Sequence, residues 1–500
     1  MKAHFRNKRP SVILELPPDA ARAYLLKSES YFAAELPRYF DFGPMLTRIS
    51  TLLSKTPLAD LTVKNLQNCK GINHTILHNK DGQFAWRPQE LIHPFLYVEL
   101  VHRLTEPKSW ALIQQRFADF GQDRRFKCTS LPLVSNSSVS DKAAQILRWR
   151  EGHELASLEL SLQFDYMLKT DITDCYGSLC TRAFAPALHG LELQEGNDRR
   201  GGRKLLGNAL GSLVRSAHGN RTHGLPHDSN LSHLLAELVL GYGDLLISQD
   251  LNRAGLSEFK IIRYRDDYRV FAHSRQDCEL IARTICNVLR DFGLKLNPGK
   301  TGITDEVIAA AIKHDKRCSV KIGFQSTRLI DDLLGIYDLA LQHPNSGSVI
   351  RFLMEFQKKI IRKKGAQEPV APMVAILTDI AIRNPRTYPI YAAVLSRMFS
   401  WVSRKVASAL LVQIQAKFVS VPHTGHLDLW LQRIAIPNGL PFTYSEPLCR
   451  TVSDPEFHVW NNDWLQEQYR HLVKASTYVD LSELEPVVQL GEVQLFHYGS

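Results

Sequence analysis

Three aspartates stand where strands are expected to end. Asp171 closes the apolar run that begins at Phe164, in Lys169-Thr170-Asp171-Ile172-Thr173-Asp174-Cys175-Tyr176. About ninety residues later, Asp266 and Asp267 lie between Ile261-Ile262-Arg263-Tyr264 and Tyr268-Arg269-Val270-Phe271. Two apolar segments around a tight Asp-Asp turn predict a hairpin with its carboxylates at the tip. Adjacent carboxylates raise each other's pKa unless a cation lies between them. Hard oxygen donors of this kind suit Mg²⁺, or Mn²⁺ in its place. Two such ions about 3.5–4 Å apart can activate a 3′-hydroxyl and stabilise a leaving pyrophosphate. Asp is also favoured in hairpin turns for backbone reasons. The pair therefore takes its meaning from its surroundings.

The elements that must position these groups can be read from periodicity. Strands are expected at Phe164–Ile172, Lys260–Tyr264 and Tyr268–His273, and helices at Leu231–Leu246 and Glu279–Phe292. Their alternation predicts a sheet domain over residues 164–315, within an α+β chain. Residues 1–163 mix helical patterns, such as Pro94–Leu104, with loops such as Ser135–Ser140. Residues 316–500 read as an α-helical region. Val349–Ile361, Met373–Ile382, Tyr391–Phe399 and Val406–Phe418 are amphipathic, and prolines 372, 385, 389 and 422 punctuate them. Helical pairs stacked as a solenoid, or one irregular bundle, fit this pattern. Gly425–Ile434, with His426 and Asp428 among apolar residues, reads as a packed helix. The basic run Lys358–Lys364 suits either phosphate contact or a solvated helix C-terminus.

Composition sets the limits. Of 500 residues, 44% are hydrophobic, which allows two or three cored domains and argues against global disorder. Lys and Arg number 61 against 51 Asp and Glu, a net charge of +10 that suits a polyanionic partner or simply solubility. The eight cysteines form no CxxC pair, which disfavours zinc and predicts reduced thiols. The apolar run Val12–Leu14 is too short for a signal-peptide core, and no stretch reads as a membrane span of about 18 apolar residues. A cytoplasmic protein with no membrane partner is expected.

Four segments, in order, resemble the palm of reverse transcriptases. Tyr264-Arg265-Asp266-Asp267 resembles their YxDD hairpin, and Asp171 to Tyr176 their first catalytic segment. Gly224-Leu225-Pro226-His227-Asp228-Ser229-Asn230-Leu231-Ser232 resembles the GLPQGxxxS loop. Phe292-Gly293-Leu294-Lys295-Leu296-Asn297-Pro298-Gly299-Lys300-Thr301 resembles the GLxLNxxKT segment. The resemblance covers roughly residues 165–305 and implies a right-hand polymerase fold of fingers and palm. It implies that Asp171, Asp266, Asp267 and the Ile172 carbonyl hold two metal ions. It places Tyr176 under the sugar of an incoming dNTP, where a ring excludes a 2′-hydroxyl, and Lys300 near the triphosphate. Gly224, Pro226, His227 and Ser229 would border the template or the nascent base pair. His227-Asp228 replaces the usual Gln-Gly, and Arg265 stands where small or apolar residues are common. Arg124, Arg125 and Lys127 are candidate triphosphate contacts, or a solvated basic face.

A palm followed by a long helical region in place of a thumb is similar to the bacterial abortive-infection and defence-associated reverse transcriptases, whose palm is related to those of retrons and group II introns. That similarity implies antiphage defence and homo-oligomeric assembly. It also implies an RNA-directed DNA polymerase copying a partner noncoding RNA, or template-independent, protein-primed synthesis. Tyr498 and Ser500, near the C-terminus, carry hydroxyls suited to priming; a plain tail explains them equally. A non-catalytic nucleic-acid-binding scaffold is the reading from another class.

Overall fold

The computed structural model describes residues 10–66, 69–79, 86–135, 141–190, 205–319, 328–482 and 484–493. Tyr498, Ser500 and most of the 135–140 loop lie outside the described residues.

The centre is a five-stranded sheet of β1 (Phe126–Cys128), β2 (Tyr166–Asp171), β3 (Phe259–Tyr264), β4 (Asp267–Ala272) and β5 (Gly302–Thr304), in the order β1-β3-β4-β2-β5. Only β1–β3 is parallel; the other pairs are antiparallel. Alternation along β3 and β4 sends Phe259, Ile261, Tyr268, Val270 and Ala272 into the main core, and Ile262 and Phe271 to a smaller cluster on the opposite face. The main core is covered by α1 (Asn230–Arg253) and α2 (Arg275–Asp291). Ser229 and Ser274 cap these helices by accepting from the Ser232 and Asp277 N–H groups. α2 is amphipathic, burying Cys278, Ile281, Ile285, Val288 and Leu289. It ends where Gly293 takes φ +78°.

Contrary to the expectation that no stretch reads as a membrane span, α1 is long and apolar enough to cross a membrane. It is buried on nearly every side by the protein's own elements, which explains an apolar surface all round.

Beyond the sheet come α3 (His314–Ser319), α4 (Leu329–Gln342), α5 (Gly347–Ile360), α6 (Val370–Arg383), α7 (Tyr388–Phe399), α8 (Arg404–Phe418) and α9 (Gly425–Asn438). α4 packs on α6 and α6 on α8; α5 packs on α7 and α7 on α9. Alternate helices thus form two rows around a separate core. At the end of the basic run's helix, Lys359 is paired with Asp332 at 2.5 Å.

The last segment departs from the expected boundary. Residues 441–482 hold little regular helix and return to the N-terminal region, where Phe40 bridges Val479 and Thr62 bridges Leu465. Trp460 and Trp464 enter the same core as Tyr39, Phe42 and Phe95. Large aromatic surfaces with no helical period are stabilised here by distant partners rather than by local structure. α9 joins the same clasp, with His426 and Trp430 both bonded to the Glu35 carbonyl.

Candidate active site

The register of the sheet brings the aspartates together. Asp171 and Asp267 are direct cross-strand partners on β2 and β4, and by alternation their side chains leave the same face. Asp266 occupies the turn beside them, and its carbonyl accepts the Ile172 N–H at 3.1 Å. The segment after α2 closes the other side: Asn297 donates its N–H to the Asp171 carbonyl at 2.7 Å, and Thr173 donates to Lys295 at 2.8 Å. Lys300 then places its ammonium 2.9 Å from Asp171 Oδ2. Ile172 lies next to Asp171 with its side chain in the core.

Electrostatics follow from this crowding. Burial, then the charges of Asp266 and Asp171, push the Asp267 carboxyl up to about 6. Burial and Asp171 also raise Asp266. Burial opposes the charge on Lys300, but its bond to Asp171 outweighs this and raises the ammonium. Three carboxylates faced by one directly bonded ammonium form an anionic, oxygen-rich cradle. That donor chemistry fits Mg²⁺ or Mn²⁺.

The turn is held from beneath by groups the motif does not contain. Arg265 has φ +55°, a left-handed conformation costing on the order of 1 kcal/mol for a side-chain-bearing residue. Its N–H donates to Ser130 Oγ at 2.9 Å, and its carbonyl accepts from the Arg263 guanidinium at 3.2 Å. Arg263 is fully buried and pairs at 2.8 Å with both Glu237 and Asp244 of α1. Those carboxylates are seven residues apart, two turns on one helix face. Ser130 and Cys128 also donate to Glu237, and Tyr268 to Asp244. The Arg265 side chain lies over the Tyr264 ring, half-buried rather than projecting into solvent.

The loop at 224–229 is laid across the first segment. Gly224 and Leu225 donate their N–H groups to the carbonyls of Leu179 and Tyr176. Gly224 needs φ +100°, and a Cβ there would come within 3.2 Å of His218. Pro226 is buried within the loop. The Tyr176 hydroxyl bonds His233 Nδ1 at 2.7 Å, and its ring packs on His227 at 5.3 Å between centroids. Burial, with Arg87 adding to it, lowers His227 to about 4, so that wall is neutral near pH 7. Asp228 is pinned by its carbonyl, which accepts from the Ala33 N–H at 2.6 Å.

Ser229 has a different duty from the others in its loop. Its hydroxyl is spent on the N-terminus of α1. Ser229→Ala is expected to cost about 1 kcal/mol in denaturant unfolding and leave the rate per folded molecule unchanged.

Arg124, Arg125 and Lys127 are not brought to the aspartates. Arg125 is ion-paired with Asp123 and stacked on Phe259, at the far end of the β3–β4 hairpin from Asp266. Beyond Arg265 and Lys300, which belong to the motifs, charge reaches the carboxylates from Arg87, acting on Asp266, and Lys313, acting on Asp267. Neither lies in a recognisable motif. The Arg263 network left one sequence signal, two acids at helical spacing inside an apolar helix.

No family model and no curated protein matches the chain. Among solved structures, it is similar to telomerase from Candida albicans in complex with a TWJ fragment of telomeric RNA. The identity is 15% and the TM-score 0.29, over 77% of this chain and 67% of that one. It is also similar to apo telomerase from Candida tropicalis, at 12% identity and a TM-score of 0.32, over 80% and 76%. A form of that enzyme truncated from its C-terminal domain is 17% identical with a TM-score of 0.31, over 51% and 54%.

Proposed function

We propose that this chain is a metal-dependent DNA polymerase of the reverse-transcriptase type, with the five-stranded sheet as its palm. The observation that carries this reading is the Asp171–Asp267 register pair with Asp266 at the adjoining turn and Lys300 bonded to Asp171. Asp171, Asp266 and Asp267, with the Ile172 carbonyl, would hold two divalent ions. When bound, these supply charge for activating a 3′-hydroxyl and stabilising pyrophosphate. Lys300, bonded to Asp171 here, would offer its ammonium to the triphosphate and a proton to the leaving group. The β3–β4 turn, fixed through Arg263 and Ser130, keeps the carboxylates preorganised.

Tyr176, oriented by His233 and backed by His227, is the sugar gate in this reading. Tyr176→Ala is expected to raise use of NTPs relative to dNTPs by roughly 10–100-fold, measured by competitive incorporation. An unchanged ratio removes the assignment.

The sequence resemblance supports synthesis of DNA on a partner noncoding RNA, in an assembly of several copies serving antiphage defence. One structural observation favours the template-independent alternative. The loop that borders the base pair in the resembled family carries His227 and Asp228 here, the first buried against the Tyr176 ring and the second half-buried. Sequencing the nucleic acid that co-purifies with the protein separates the two: one defined cDNA with its RNA, or DNA of random sequence. Recovery of nucleic acid but no synthesis leaves the scaffold reading.

A further inference from the structure

A second cluster of ligand-type side chains lies away from the aspartates, at the junction of the sheet region and the helical rows. His314 and Cys318 are four residues apart on α3 and therefore share a face. His343 follows directly on the C-terminus of α4. Cys318 Sγ is 3.7 Å from His314 Nδ1 and 3.9 Å from its Nε2. The imidazoles of His314 and His343 are 5.2 Å apart between centroids. One donor atom from each of the three residues lies within 4.8 Å of the other two.

These separations are close to what one metal ion demands. With Zn–S near 2.3 Å and Zn–N near 2.0–2.1 Å, sulfur and nitrogen on a tetrahedral centre are about 3.6 Å apart. α3 is already fixed against α5 for this purpose. Ser348 donates to Asp315 at 2.9 Å, and Arg351 donates to Ser319 at 3.0 Å. His314 is exposed and the other two are partly so, which leaves an entry path.

We propose that His314, Cys318 and His343 form a Zn²⁺-class metal site with three protein ligands and a fourth position open to solvent. Thiolate and imidazole donors select zinc-like ions, whereas the aspartate cradle selects Mg²⁺ or Mn²⁺. The two sites therefore take different metals. The ion joins residues about thirty positions apart, so it ties the start of the helical rows to the segment that leaves the sheet. The absence of a CxxC pair gave no hint of this, because the third ligand comes from another helix.

The test uses the full chain purified without chelator and dialysed against excess Mg²⁺. Zinc is counted by mass spectrometry, and Co²⁺ is then substituted for it. The expected result is one zinc per chain and a thiolate-to-cobalt charge-transfer band. Cys318→Ser and His343→Gln are each expected to lose both while keeping the wild-type circular dichroism. Wild-type protein with no stoichiometric zinc and no such band overturns the proposal, as do variants that keep full zinc. Should a variant fail to fold, the wild-type cobalt spectrum decides alone. No readout depends on polymerase activity, so failure here is separate from failure of the proposed function.

Discussion

Arg263→Met is expected to destabilise the protein by about 3–5 kcal/mol, seen as a fall in the denaturant midpoint. The reason is what the substitution leaves behind. Glu237 and Asp244 are both buried on one face of α1, with Arg263 between them. Burial already pushes Asp244 up to about 6 against the pull of that guanidinium. Without the guanidinium, two carboxylates remain in a low-dielectric interior with their main countercharge gone. Adding Glu237→Gln and Asp244→Asn to Arg263→Met is expected to recover part of the loss, because no uncompensated charge is then buried. Incorporation by Arg263→Met is expected to stay below wild type even at temperatures where it is folded, since Arg263 also bonds the carbonyl of the strained Arg265. A fall of under about 1 kcal/mol, with normal activity, would show that the network does not set the turn.

Asp267→Asn is expected to lower incorporation by roughly 10²–10³-fold while making the metal-free protein more stable near neutral pH, by about 1 kcal/mol. The two effects share one cause, three carboxylates held together for a cation. The pH dependence has a definite sign. The folded Asp267 carboxyl titrates near 6, above the value of about 3.9 for an unfolded Asp. Between these values the folded state holds a proton that the unfolded chain has lost. The contribution of Asp267 to stability is therefore present below about pH 4 and is lost as pH rises through about 6. Wild-type protein in chelator is expected to lose stability over that window, and Asp267→Asn to lose less. Thermal melts of both proteins across the window check this. Parallel curves would mean that the carboxyl carries no such burden.

Much of this centre is legible in the sequence. Short apolar runs mark β2, β3 and β4, and the tight connection between the last two leaves little choice about where Asp266 and Asp267 sit. The register that pairs Asp171 with Asp267 was not legible, because register depends on which face is buried and on the partner strand. The amphipathic helices α5, α6 and α8 also show in the sequence, since each buries one stripe; α7, expected to be amphipathic, is instead buried almost all round. The return of residues 441–482 to the N-terminal region does not, because Trp460 and Trp464 find partners hundreds of residues away. Of the two readings open for Arg124, Arg125 and Lys127, triphosphate contact is disfavoured for a physical reason: β1 runs parallel to β3, so its first residues lie at the end remote from the turn. Arg263 in a strand gave no sign of being an internal cation. Its meaning lies in Glu237 and Asp244, which only the packing of α1 on the sheet brings near.

The most direct test of the central claim is incorporation of labelled dNTPs by the purified chain in Mg²⁺ or Mn²⁺, beside Asp266→Asn/Asp267→Asn purified in the same way. The account predicts metal-dependent DNA product with the wild type and none with the double variant, both proteins showing the same circular dichroism. Undiminished product from the double variant would contradict it.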